Sequence, residues 1–93
     1  MPSTTTSTFF YTYVLESLFD RARYVGFTND LRRRMNERLT KKVFSTSYRQ
    51  PVRLVYYEAC LSENDALRRE RYLKTTGGRR FLAKRLRSFI SKV

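Results

Sequence analysis

Tyr11-Thr12-Tyr13-Val14-Leu15, then Tyr24-Val25-Gly26, then Thr28-Asn29-Asp30-Leu31-Arg32-Arg33-Arg34-Met35 is the stretch that decides the fold. Phe9 to Glu16 is rich in aromatic and β-branched residues and holds no Gly or Pro, which predicts a strand. Alternation puts Phe9, Tyr11, Tyr13 and Leu15 on one face and Phe10, Thr12 and Val14 on the other. Both faces are largely apolar, so this strand belongs in the middle of a sheet. Ser17 to Asp20 supply a turn, and Ala22 to Phe27 form a second strand. The short connection implies an antiparallel hairpin. Gly26 lies near the end of that strand, where a missing side chain permits a bend or a close backbone approach.

A helix follows at once. Thr28 or Asn29 is its expected N-cap, with Asp30 in the first turn. Leu31, Met35 and Leu39 recur every fourth residue and form a buried stripe. Arg34 and Arg38 share one edge of it, while Arg32 and Arg33 point elsewhere. The helix fades near Thr40. Lys41 to Gln50 reads as a polar, basic loop. Pro51 restricts Gln50 and introduces a third strand, Val52 to Ala59.

Ser62 caps a second helix running to about Lys74, with Asp65 completing a capping-box pattern. Gly77-Gly78 is expected to break the chain. A third helix, Arg79 to about Ile90, buries Leu82, Ala83, Leu86, Phe89 and Ile90, and carries Arg80, Lys84 and Arg87 outward. The order β-β-α-β-α-α gives an α+β fold, a small three-stranded antiparallel sheet flanked by helices. Residues 1–8, polar and Ser/Thr-rich, read as a flexible N-terminal tail, and residues 9–93 as one domain.

Composition narrows the function. A chain of 93 residues with 41% hydrophobic content has one small core and is not a disordered basic tail. Its net charge of +12 opposes folding through self-repulsion and points to a polyanionic partner. Nucleic acid is the expectation, since each neutralised phosphate releases counterions. No apolar run approaches a membrane span, so no membrane partner is expected. Histidine is absent and Cys60 is the sole cysteine. That excludes Ser-His and Cys-His triads, intramolecular disulfides and the usual zinc sites. Any catalysis must use Tyr, Arg, Lys, Asp or Glu. A cytoplasmic, nucleoid-associated location is expected.

Glu70 is the informative residue. Ala66, Leu67 and Leu73 define the inward stripe of the second helix, and at about 100° per residue Glu70 falls within it. A buried carboxylate needs a cation or hydrogen bonds. Two readings stand. One is a structural ion pair with an arginine. The other is a metal ligand, a lone carboxylate holding Mg²⁺ with waters and phosphate oxygens completing the shell. Tyr13 and Tyr24 could be cross-strand neighbours on the hairpin. Two phenols beside a carboxylate and the Arg34 guanidinium would form a polar site in an otherwise apolar sheet.

These motifs, in this order, resemble the GIY-YIG nuclease superfamily, which is named for two short motifs on adjacent strands. Tyr11-Thr12-Tyr13 stands where the first would be, and Tyr24-Val25-Gly26 matches the second. Arg34 matches the family's helix arginine, and Glu70, in Leu67-Arg68-Arg69-Glu70, its metal-binding glutamate. The stretches from Pro51 to Glu58 and from Leu73 to Leu82 also resemble small stand-alone bacterial members. The catalytic domain of the bacterial excision-repair nuclease UvrC belongs to the same superfamily. The likeness covers about residues 9–90. Tyr11 replaces the glycine of the first motif, Arg38 sits where histidine or tyrosine is common, and the late asparagine of some members has no clear counterpart.

The resemblance implies a metal-dependent DNA endonuclease using one Mg²⁺, with Mn²⁺ as a possible substitute. Glu70 would hold the ion, and Arg34 would stabilise charge on the phosphoryl oxygens. Tyr24 would act as base, with Tyr13 as its hydrogen-bonding partner. DNA contacts are expected from Arg38, Lys41, Lys42, Tyr48, Arg49, Arg80, Lys84 and Arg87. Tyr48 beside Arg49 could stack on an exposed base, which somewhat favours single-stranded or distorted DNA. A monomer with one active site is the simpler expectation, with a dimer as the alternative. The competing reading is a non-catalytic basic nucleic-acid-binding module, ribosomal-protein-like in size and charge.

Overall fold

The computed structural model describes residues 8–39 and 51–91. Apart from Thr8, the expected tail lies outside them, as do Lys41, Lys42, Tyr48 and Arg49. Three strands, β1 (Phe10–Ser17), β2 (Arg23–Thr28) and β3 (Val52–Cys60), form one antiparallel sheet in the order β2-β1-β3. β1 is central, as its two apolar faces require. Tyr13, Val14 and Leu15 are almost wholly withdrawn from water.

Each face of β1 feeds a separate core. On one, Tyr13 and Leu15 pack with Val52 and with Met35 of α1 (Leu31–Leu39), joined by Tyr24, Leu31 and Leu54. On the other, Val14 packs with Leu73 of α2 (Glu63–Leu73) and Leu82 of α3 (Thr76–Arg85), joined by Val25, Val55, Tyr56 and Phe81. The sheet therefore lies between α1 on one side and α2 with α3 on the other. Each fully buried Leu or Val contributes about 1.5–3 kcal/mol. A short α4 (Arg87–Ser91) closes the described chain.

The β1–β3 register shifts between Val14 and Leu15. Val14 faces Tyr56 but Leu15 faces Leu54, leaving Val55 as an inserted residue in β3. The bulge breaks alternation. Leu54 joins the α1-side core, Val55 and Tyr56 both join the opposite one, and Tyr57, opposite Tyr13, returns to the α1 side.

Local chemistry accounts for the boundaries. In the β1–β2 turn, the Ser17 hydroxyl accepts from the amides of Phe19 (3.1 Å) and Asp20 (3.3 Å), and the Asp20 carboxylate accepts from the amide of Ala22 (3.0 Å). Arg21 takes the left-handed conformation that closes the turn, at φ 65°. Asp30, expected in the first turn of α1, is instead its cap. Its carboxylate accepts from the amide of Arg33 (3.1 Å), while Thr28 Oγ1 braces the amide of Asp30 (3.1 Å). Ser62 caps α2 as expected, accepting from the amide of Asp65 (3.2 Å).

The glycine pair does not break the chain where expected. The break falls earlier, at Lys74 and Thr75. Thr75 caps α3 by accepting from the amide of Gly78 (3.1 Å), so both glycines lie in the first turn. Gly78 is buried there because a Cβ would run into the carbonyl of Tyr72 and the backbone of Leu73. The expected third helix divides at Leu86 into α3 and α4. Leu82 and Leu86 are buried and Phe89 half-buried, but Ala83 and Ile90 are exposed, contrary to the expected stripe. Phe89 lies under the Arg53 guanidinium, 4.8 Å from the ring centre.

Candidate active site

A cleft of about 640 Å³ opens where β2 meets the α2–α3 corner. Val25, Leu73 and Leu82 give it an apolar floor, and Arg23, Lys74, Arg79 and Tyr24 line the rest. Three cations over an apolar floor make a focused positive field suited to an anion. Arg23 is held from below. Its Nε lies 3.6 Å from Glu16 Oε2, and the same carboxylate accepts from Arg53 Nη2 at 3.2 Å. Glu16 is only 3% exposed, so the two guanidinium groups are what make its burial tolerable.

Tyr13 and Tyr24 come together in the α1-side core. Tyr13 pairs with Gly26 across the strands, and its phenol lies flat on that glycine, so a Cβ there would meet the Tyr13 ring and hydroxyl. The glycine of the second motif thus makes room for the tyrosine of the first. Tyr24 is half-buried and also borders the cleft. Arg34 rides on α1 beside Met35, with its Nε 3.6 Å from Glu37 Oε1.

Glu70 comes from the other side of the sheet, on α2. It lies between buried Ala66 and Leu73, and its side chain is 20% exposed, as the inward stripe predicts. Its partner is not an arginine but Lys74, one turn on, whose Nζ donates to Glu70 Oε2 at 3.1 Å. Lys74 also lines the cleft, so the carboxylate is linked through this pair to the lining without being part of it. Among the described residues, no three His, Cys, Asp or Glu side chains cluster to cage a metal. A single sheltered carboxylate fits Mg²⁺, which keeps several waters and takes its remaining ligands from phosphate oxygens.

α2 is fixed to the sheet by two polar contacts that sequence reasoning missed. The Thr12 hydroxyl donates to the Ala66 carbonyl at 2.8 Å. Glu58 of β3 accepts from Arg69 Nε at 2.9 and 3.0 Å and from the Tyr56 hydroxyl at 2.8 Å. The Arg69 guanidinium also lies 4.4 Å from the Phe81 ring centre. Burial foremost, and then the Glu58 hydrogen bond and charge, push the Tyr56 phenol above its ordinary value, against the pull of Arg69 and Arg85.

Arg23 and Arg79 were also missed, and nothing in their local sequence marks them. Lys74 carried a signal, since it lies four residues after Glu70 on one helix face. Of the expected DNA contacts, Arg80, Lys84 and Arg87 are exposed and Arg38 is half-buried.

A family model described as the GIY-YIG catalytic domain matches residues 9–89. A UPF0213 protein of Streptococcus agalactiae serotype V is 43% identical over 65 residues, which cover 69% of this chain and 73% of that protein. One from Streptococcus pyogenes serotype M3 is 40% identical over 65 residues, covering 69% and 70%. The solution NMR structure of the UPF0213 protein BH0048 from Bacillus halodurans matches with a TM-score of 0.52 and 30% identity, over 82% of this chain and 83% of that one.

Proposed function

The chain belongs to the GIY-YIG family of endonucleases, and from that premise we propose that it is a metal-dependent DNA endonuclease hydrolysing phosphodiester bonds, with single-stranded or distorted DNA favoured. The observation that carries the reading is the cationic cleft bordered by Tyr24, with Glu70 paired to Lys74 of its lining.

Glu70 would hold one divalent ion, Mg²⁺ or its substitute Mn²⁺. Bound there, the ion supplies Lewis-acid charge at the scissile phosphate. Tyr24, the more accessible phenol, orients the attacking water and takes its proton, and Tyr13 fixes the Tyr24 ring from the core. Arg34 stabilises the negative charge that builds on the phosphoryl oxygens. Arg23, Lys74 and Arg79 hold the backbone phosphates. Arg38, Arg80, Lys84 and Arg87, with Lys41, Lys42, Tyr48 and Arg49, extend the DNA contact.

The deciding experiment incubates the protein with single-stranded and duplex DNA, with Mg²⁺ and with a chelator. Cutting is expected only with the metal. Glu70→Gln is expected to keep DNA binding and lose cleavage, and retained cutting in that variant would remove Glu70 from its role. One observation favours a second reading. Lys74 already satisfies the Glu70 carboxylate, as it would in a non-catalytic basic module. That module would bind DNA and leave it whole under every condition.

A further inference from the structure

The α1 side of the sheet carries a second opening, a groove of about 400 Å³ between α1 and the β1–β3 pair. Tyr11, Tyr57, Leu31, Met35, Leu54 and Arg32 line it. Tyr57 is 53% exposed, an unusual position for a large ring on a sheet face. The Tyr11 and Tyr57 ring centres are 6.0 Å apart and tilted by 60°, so together they form two walls of an open aromatic corner. The bulge at Val55 makes this corner, because it returns Tyr57 to the α1 side while Leu54 stays there as floor.

Charge distinguishes the groove from a bare apolar patch. Arg33 pairs with Asp30 and Arg34 with Glu37, while Arg32 makes no ion pair among the described residues and stands exposed at the groove. An exposed phenol ring, Tyr57, and a half-buried one, Tyr11, beside a guanidinium with no ion pair among the described residues match one ligand chemistry, a flat nucleobase attached to a phosphate. A base inside a duplex is stacked on its neighbours and offers no free face. An unpaired base does. Tyr11 lies two residues before Tyr13 on the same face of β1, about 7 Å along the strand, so a base seated here lies on the sheet face that also carries Tyr13 and Tyr24.

We propose that this groove seats one unpaired base of single-stranded DNA, stacked on Tyr57 within the corner closed by Tyr11, with Arg32 on the adjoining phosphate. The inference rests on the nuclease reading and assigns its substrate class, an unpaired strand.

Binding of the full chain is measured in chelator, against a deoxythymidine homopolymer and against a duplex of equal length. Tyr57→Ala is expected to weaken single-strand binding about tenfold and leave duplex binding unchanged. Tyr57→Phe, which keeps the ring, retains wild-type affinity. The chain has no tryptophan, so Tyr57→Trp supplies a single reporter whose emission is expected to be quenched when the homopolymer binds. Equal losses on both DNAs, no loss with Tyr57→Ala, or unquenched emission with the oligonucleotide bound would each overturn the proposal. So would tighter binding of the matching RNA, or a dimer that Tyr57→Ala dissolves. Metal is absent from this assay. Cleavage without stacking therefore defeats the groove alone, and stacking without cleavage under Mg²⁺ defeats the nuclease reading alone.

Discussion

Gly26 and Tyr13 show how two motif residues become one structural unit. The ring of Tyr13 occupies the space a side chain at Gly26 would need. Gly26→Ala is therefore expected to force the phenol aside, costing about 1–3 kcal/mol of stability by overpacking. It should also cut the cleavage rate by more than that instability explains. Denaturant unfolding and a cleavage assay at saturating metal check the two parts separately. This pairing was readable from the sequence only as a spacing. The hairpin could be inferred, and with it the neighbourhood of Tyr13 and Tyr24, but not which residue lies under the ring. Glu70 was readable for a similar reason, since helical period alone places it between Ala66 and Leu73. Its engagement with Lys74 was not, because period sets direction and leaves open which of twenty basic side chains arrives.

Elements were readable where period and capping chemistry agree. β1, β2, β3, α1 and α2 fall close to their expected bounds because alternation, the hairpin turn, Pro51 and Ser62 all point the same way. Misreadings arose where contacts distant in sequence decide. The glycine pair looks like punctuation, but its second member, Gly78, serves the close approach of α3 to the end of α2. The inserted Val55 and the division at Leu86 leave no local mark. The α2–β3 bond through Tyr56, Glu58 and Arg69 carries a pH prediction. Burial and Glu58 raise the folded phenol above its ordinary 10.0, so the folded chain keeps a proton that the unfolded chain releases. The stabilisation is complete below that pH and is lost as pH rises through the folded value. Tyr56→Phe removes the titration, so its melting temperature is expected to fall less steeply than that of the wild type above pH 10.0. Thermal melts across that interval test the sign.

For the molecule entire, the charge of +12 announced a polyanion from composition alone. The arrangement of that charge could not be read. Arg23 from β2, Lys74 from the end of α2 and Arg79 from α3 meet only because the hairpin and the α2–α3 corner are packed together. DNA affinity is expected to fall steeply with salt, with the logarithm of the binding constant dropping about 0.7–0.9 per phosphate contact for each decade of salt. Replacing Arg80, Lys84 and Arg87 together with alanine should flatten that slope by about two to three contacts. Fluorescence anisotropy at graded NaCl measures it, and an unchanged slope would place the contacts elsewhere.

The extra residue in β3 lets Leu54 and Tyr57, three apart in the chain, share one face of the sheet. Deleting Val55 would restore regular pleating, with Leu54 still opposite Leu15 and Tyr56 still opposite Val14. Leu54 and Tyr57 would keep their face, and the α2-side core would lose the Val55 side chain. A chain lacking Val55 is therefore expected to keep the sheet and lose one buried contact, which thermal melts of the deletion variant check.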